Sequence, residues 1–150
     1  MRLPSSSKRD VRTQFGAVCY RMRKDKTEVL LVTSRTTERW ITPKGWPVEG
    51  ATPSDAAATE AWEEAGAIGK VSTLCLGIYS YIKLAEAPDE TDMPCVVALF
   101  PFKVTELADD YPEAKDRRRR WCSPQKAATL VDEPELREIL KVFDARNLPR

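Results

Sequence analysis

Residues 45–67 read GWPVEGATPSDAAATEAWEEAGA, and the reading of this stretch decides the rest of the chain. A glycine-containing loop, 45–51, leads into a segment with strong helix signals. Thr52 suits the N-cap, Pro53 the first helical position, and Asp55 completes a capping-box-like arrangement. Gly66 supplies a C-terminal stop. The signals therefore predict a helix from Pro53 to Ala65. Within it Glu60, Glu63 and Glu64 stand at i, i+3 and i+4, which places three carboxylates on one face, near enough to share a cation. Ala58, Ala61, Trp62 and Ala65 are expected to pack against a core from the other side. Ala56 and Ala57 are small enough to leave the acidic stripe accessible.

Three like charges crowded near the C-terminal half of a helix oppose one another and the helix macrodipole. Two readings follow. The carboxylates are a solvated acidic patch, or they hold a hard divalent cation such as Mg²⁺ or Mn²⁺, which prefers oxygen ligands. The glycine-bearing loop that precedes the helix favours the second.

Composition limits what else the chain can do. Its 150 residues suit one domain with a real core, so 1–150 is read as a single domain with residues 1–10 as a flexible arm. A formal net charge of +1 gives no basic coat for nucleic acid and no polybasic anchor. No apolar run approaches the length of a membrane span, and MRLPSSSKRD lacks the core of a signal peptide. Cys19, Cys75, Cys95 and Cys122 have no CxxC spacing. They read as buried, reduced thiols in strands of a cytoplasmic protein. The chain contains no histidine, which removes Ser-His and Cys-His nucleophiles, histidine bases and most zinc chemistry at once. Acid–base work falls to carboxylates, lysine, tyrosine or water on a metal.

Strands are expected over 14–21 and 28–34, joined by a hairpin turn at the charged RKDK, with a short strand at Trp40 and Ile41. Beyond the helix, 71–84 and 93–104 read as a second strand pair across the acidic loop EAPDETD, with Pro94 and Pro101 arguing against a central place for the later strand. RRRRWCS reads as a short strand and SPQKAATLV as a helical turn. Residues 135–143 read as an amphipathic closing helix with Leu136, Ile139, Leu140 and Phe143 on one side. Strands flanking one helix, with another at the end, predict an α/β fold with a mixed sheet covered on both faces.

The cations have two readings each. Arg35, Arg39 and Lys44 flank the loop and are either surface charge or, beside a carboxylate–metal centre, neutralisers of a polyphosphate. Arg117 to Arg120 form the densest positive cluster. On a strand Arg117 and Arg119 share a face with Trp121, either as a charge-blunted edge or as a clamp for phosphates.

The stretch from RWITPKGW through the helix resembles the Nudix box, with Gly45, Glu60, Glu63, Glu64 and Gly66 in register. Ala51 and Thr59 depart from it, standing where the box has a glutamate and an arginine, and Ala67 is smaller than the usual bulky aliphatic. With VCYR, VLLVTSRTTERWITPKG and the late RRRRW, the chain is similar to the branch of Nudix hydrolases that cleave diphosphoinositol polyphosphates and diadenosine polyphosphates. The resemblance implies an α/β/α Nudix sandwich and hydrolysis of a phosphoanhydride with Mg²⁺, or Mn²⁺. The metal is held by Glu60 and Glu64, with Glu63 and a carbonyl at Lys44 or Gly45. Glu63, with Glu60, carries the catalysis as base. It also implies phosphate contacts from Arg12, Ser34, Arg35 and Arg117, joined by Arg39, Lys44 and Arg119 from the residue reading. Thr13 and Gln14 are uncharged where that branch is basic, so a dinucleoside polyphosphate is preferred to an inositol pyrophosphate. The alternative is a non-catalytic nucleotide-binding Nudix module, suggested by Ala51 and Thr59. A small-molecule substrate, no membrane, no stable nucleic-acid partner and a monomer or homodimer complete the expectation.

Overall fold

The computed structural model describes residues 11–149, so the expected N-terminal arm lies outside the described residues. In chain order the elements are β1 (Arg12–Arg23), β2 (Lys26–Thr33), β3 (Trp40–Ile41), β4 (Lys44–Gly45), α1 (Pro53–Ala65), β5 (Ala67–Val71), β6 (Gly77–Lys83), β7 (Met93–Leu107), β8 (Arg119–Cys122), α2 (Pro124–Leu130) and α3 (Pro134–Val142). A 3₁₀ turn, Ala145–Asn147, follows.

β1 and β2 form the expected hairpin, and Lys24 and Asp25 at its tip have φ of 52° and 63°. Two consecutive left-handed residues make the turn whose twist matches the strands it joins. The two strands pair only from Cys19–Leu30 outward to Arg23–Lys26. Beyond that they part, and β3 pairs with β2 while β4 pairs with β1 on the edges so released. The segment 40–45 thus crosses the gap between the parted strands. The crossing is fastened by the Ala17 amide, which donates to the Pro43 carbonyl at 3.0 Å.

β7 is the centre of the sheet. It runs parallel to β1 from Arg12–Cys95 to Tyr20–Lys103, and its other edge carries β6 along the first half and β5 along the second. This corrects two expectations. The run 71–84 is not one strand, because Val71 pairs with Phe102 and Gly77 with Leu99, so residues 72–76 bulge out opposite a shorter stretch of β7. The prolines do not push the later strand outward either. Pro101 faces that bulge, where its carbonyl accepts from the Ser72 amide at 2.8 Å, so the missing N–H falls where no ladder partner stands.

Side chains alternate along the central strands into two cores. Ala17, Cys19, Leu30, Val32, Phe100 and Phe102 meet Ala57, Ala61 and Ala65 of α1. Val18, Val29, Leu31, Val97 and Leu99 meet Leu136 and Leu140 of α3 and the alanines of α2. The result is the expected α/β/α sandwich on a mixed sheet. Leu136 and Leu140 have no exposed surface, and each such burial contributes about 1.5–3 kcal/mol. The i, i+4, i+8 alanines explain how α1 lies close to the sheet; Trp62, expected in the core, turns away and is 38% exposed. Cys19, Cys95 and Cys122 are buried as expected, whereas Cys75 sits exposed in the bulge between β5 and β6.

Candidate active site

α1 is set by its ends. The Thr52 hydroxyl accepts from the Asp55 amide at 3.2 Å. At the other end Gly66 takes φ 64° and returns its amide to the Ala61 and Trp62 carbonyls. A Cβ on Gly66 would stand 2.5 Å from the Tyr111 ring, so glycine is required by packing as well as by conformation. Between these caps α1 leans its acidic side on β4. Gly45 is the point of closest approach: a Cβ there would lie 2.3 Å from the Glu60 carboxyl carbon. The bare Cα of Gly45 is therefore the seat of the Glu60 carboxylate.

Glu64, one turn on, is 5% exposed, and the Lys44 amide donates to its Oε1 at 3.4 Å. Glu60 and Glu64 stand one helical turn apart on the side of α1 that meets β4, close enough for each to shift the other's titration. Burial pushes Glu64 up to about 8, against the lowering pull of Arg117 and Lys44. Burial also raises Glu60, and the neighbouring Glu63 and Glu113 add to the rise, opposed by the hydrogen bond from Glu64. Glu63 is half-buried, and its backbone carbonyl accepts from the Glu113 amide at 3.0 Å. Among the described residues no three acidic or thiol side chains close round one point. The expected trio is thus a neighbouring pair against β4, Glu60 and Glu64, with Glu63 beside it.

The cations divide sharply. Arg117, expected as a phosphate clamp, is buried. It pairs with Glu113 at 2.9 Å, stands 3.7 Å from Glu64, and donates to the Thr33 carbonyl at 2.8 Å. Arg119 donates to the carbonyls of Ala65 and Ala108 at 3.0 and 2.8 Å and lies over the Tyr111 ring. It closes the C-terminal end of α1, where a cation suits the helix dipole. Arg119 opens β8 and Arg117 lies ahead of it; Trp121 packs against the α1 core, and the donors of both arginines are spent on the protein. Ser34 is similarly committed, its hydroxyl accepting from the Arg39 amide at 2.9 Å and bonded to Thr37. Arg39 binds Asp132 and Glu133 at 3.2 and 3.1 Å. Arg35 is exposed and 3.6 Å from Glu113. Arg12 begins β1 opposite Cys95. Lys44 projects to the face opposite α1, its ammonium 4.9 Å from the centre of the Tyr81 ring, and burial lowers its pKa while Glu64 and Glu133 raise it.

Two residues of this region carried no signal in the chain order. Glu113 lies in the polar connection 108–116 and reaches the carboxylates only because that connection folds back on α1. Glu133 precedes α3 and is brought to Arg39 by the packing of α3 on the sheet. Glu113 stands three and four residues from Asp110 and Asp109, but no helix signal there gives that spacing a meaning, and Glu133 has no acidic residue at such a spacing.

A model of the NUDIX domain matches residues 12–143. "Nudix hydrolase 12, mitochondrial" of Arabidopsis thaliana is 36% identical over 120 residues, covering 79% of this chain and 59% of that protein. "Diphosphoinositol polyphosphate phosphohydrolase 3-alpha" of Mus musculus is 31% identical over 118 residues, covering 77% of this chain and 66% of that one. The chain therefore spans less than two thirds of the length of these two curated relatives. A crystal structure of C. elegans Ap4A hydrolase has the same fold, with a TM-score of 0.61 at 23% identity over 88% of this chain and 95% of that one. The box glycine seating a helix carboxylate, the α/β/α layers and a family match from the first strand to the last helix lead to one conclusion: the chain belongs to the NUDIX family.

Proposed function

We propose that this protein is a Mg²⁺-dependent pyrophosphohydrolase that cleaves a phosphoanhydride, with a dinucleoside polyphosphate as the preferred substrate and a diphosphoinositol polyphosphate as the second choice. The observation that carries this reading is the Glu60 carboxylate seated on Gly45 beside buried Glu64, whose Oε1 accepts from the Lys44 amide. The donor set fits the ion. Two carboxylates and a carbonyl from Lys44 or Gly45 are all oxygen, and Mg²⁺ is commonly held by one or two carboxylates with the substrate phosphates filling the rest. Mn²⁺ suits the same set. When bound, the ion offsets phosphate charge and polarises the phosphorus–oxygen bonds.

The chain's own residues do the remaining work. Glu63 takes a proton from the attacking water as its oxygen bonds to phosphorus; the bridging P–O bond breaks and its electron pair leaves with the departing phosphate. Arg117 positions Glu64 and Glu113 from within the protein, and we assign it that role in place of a clamp. Arg12 and Arg35 are the cations left to meet phosphate, since Lys44 faces the other side of β4. Two cations, with Thr13 and Gln14 neutral, favour a linear polyphosphate over a ring crowded with phosphates. The names of the mouse relative and the C. elegans structural neighbour supply the two candidate classes.

No helix of the described residues is long and apolar enough to cross a membrane. Four free cysteines support a reducing compartment, which we take to be the cytoplasm, although one relative's name is mitochondrial. A small-molecule substrate, and a monomer or homodimer, remain our reading.

A phosphate-release screen over dinucleoside polyphosphates, diphosphoinositol polyphosphates, nucleoside triphosphates and nucleotide sugars tests the proposal. Release is expected only with Mg²⁺ or Mn²⁺, strongest from dinucleoside polyphosphates, and lost in Glu63→Gln. No release from any compound, with nucleotides still raising the melting temperature, would instead establish the binding-module reading that Ala51 and Thr59 suggest.

A further inference from the structure

On the face opposite α1, beside the seat of Glu60, lies a cluster of polar groups that do not satisfy one another. Lys44 and Gly45 are consecutive in β4 and project to opposite faces, so this cluster and the carboxylate pair are one residue apart. Glu133 occupies the N-cap of α3, yet its side chain makes no capping bond. It turns toward the sheet instead, where Oε2 accepts from Arg39 at 3.1 Å and Oε1 is buried with no partner. Thr42 is 1% exposed and its hydroxyl has no partner either. The Tyr79 hydroxyl lies near enough for Thr42 to temper the rise that burial gives that phenol, but no bond of good geometry joins them. The charge of Glu133 is felt by Lys44, Tyr79 and Tyr81. Even so, the Lys44 ammonium makes no ion pair within 4.0 Å among the described residues and rests on the Tyr81 ring. Tyr81 donates to buried Gln14 at 2.5 Å, which fixes the floor.

A buried carboxylate oxygen left unpaired is costly, and a helix that forgoes its own cap to place one there adds to the cost. Two acceptors seek donors, and one ammonium seeks an acceptor. A free phosphate meets the ammonium but is repelled by Glu133 and offers no donor. A group bearing hydroxyls, or an amine beside a ring nitrogen, meets both.

We propose that Glu133 and Thr42 form a specificity subsite that reads hydrogen-bond donors on the uncharged, nucleoside part of the substrate, with Lys44 on its acceptors. The idea rests on the polyphosphate-hydrolase reading above and narrows it to nucleotides. A site that aims buried acceptors at a hydroxyl or amine discriminates strongly against ligands that lack one, because its own groups are then left unpaired.

The test uses two probes that resist cleavage, α,β-methylene-ADP and methylenediphosphonate, titrated calorimetrically into the full chain with Mg²⁺. The wild type is expected to bind the nucleotide probe at least about tenfold more tightly. Glu133→Gln keeps the shape and an acceptor for Arg39. It is expected to weaken the nucleotide probe about tenfold while leaving the diphosphonate equal or tighter, since one negative charge is gone. Thr42→Val is expected to move the nucleotide probe alone, in the same direction, and carries the test if Glu133→Gln does not fold. The 2′-deoxy and hypoxanthine forms of the nucleotide probe separate ribose hydroxyl from base amine: the form that no longer distinguishes wild type from Glu133→Gln lacks the group Glu133 reads. Equal weakening of both probes, tightening of both, or no change in either overturns the proposal. So does a wild type that binds the two probes alike. Because neither probe is cleaved, absence of turnover would sink the hydrolase reading without touching this result.

Discussion

At the scale of residues the account turns on the absence of one carbon atom. Gly45→Ala would bring a methyl into the space of the Glu60 carboxylate, which is the far end of a flexible side chain. The fold therefore tolerates the change while the carboxylate does not keep its place. Turnover is expected to fall by roughly two orders of magnitude, the usual cost of a misplacement near 1 Å, with little change in melting temperature. Equal rates in the two proteins would remove Gly45 from the site. The glutamates themselves were legible in the sequence, because i, i+3, i+4 spacing on a capped helix needs no tertiary information. Which two of them meet was not. Helical spacing alone treats Glu60, Glu63 and Glu64 alike, and their separation comes from the approach of β4 and from the loop that binds the Glu63 carbonyl.

At the scale of elements, α1 is held at its far end by the segment 108–119 rather than by its own side chains. Arg117 joins Glu113 to Glu64, and Arg119 spans the carbonyls of Ala65 and Ala108. Arg117→Ala leaves buried Glu64 and half-buried Glu113 without their donor, a loss of about 1–3 kcal/mol measurable by urea unfolding. A loss near zero would return Arg117 to the role of a surface clamp. The sequence read RRRRWCS as a short strand with alternating faces; the strand is Arg119–Cys122, with Arg117 and Arg118 ahead of it, and alternation says only which way an arginine points. What it meets there was set by the 108–116 loop, whose polar residues have no period to read. The same limit explains the run 71–84, where continuous β-propensity hid a bulge that exists only because two strands share one edge of β7. Trp62 was misplaced for a related reason: helical periodicity allowed it on the core side, but the alanine row at 57, 61 and 65 brings α1 too near the sheet for an indole.

At the scale of the whole molecule the carboxylate pair sets a pH dependence. Glu64 is raised from 4.5 to about 8, so between these values the folded protein holds a proton that the unfolded chain has released. Stability from this source is full below about pH 4.5 and is lost as pH rises through 8. The metal-free protein is expected to melt at progressively lower temperature from pH 5 to 8, and Glu64→Gln to flatten that slope. A melting temperature that rises over this range, or an unchanged slope in Glu64→Gln, would contradict the shift. Lys44, lowered by burial, works in the opposite sense further toward alkaline pH. A divalent ion favours the ionised pair, so Mg²⁺ should oppose the loss and bind more weakly as pH falls. All of this follows from one claim, that Glu60 and Glu64 gather a divalent ion beside Gly45. An anomalous-scattering experiment on crystals soaked in Mn²⁺ tests it directly. The account predicts a peak at roughly 2.0–2.3 Å from oxygens of both carboxylates; a map with no ion between them would contradict it.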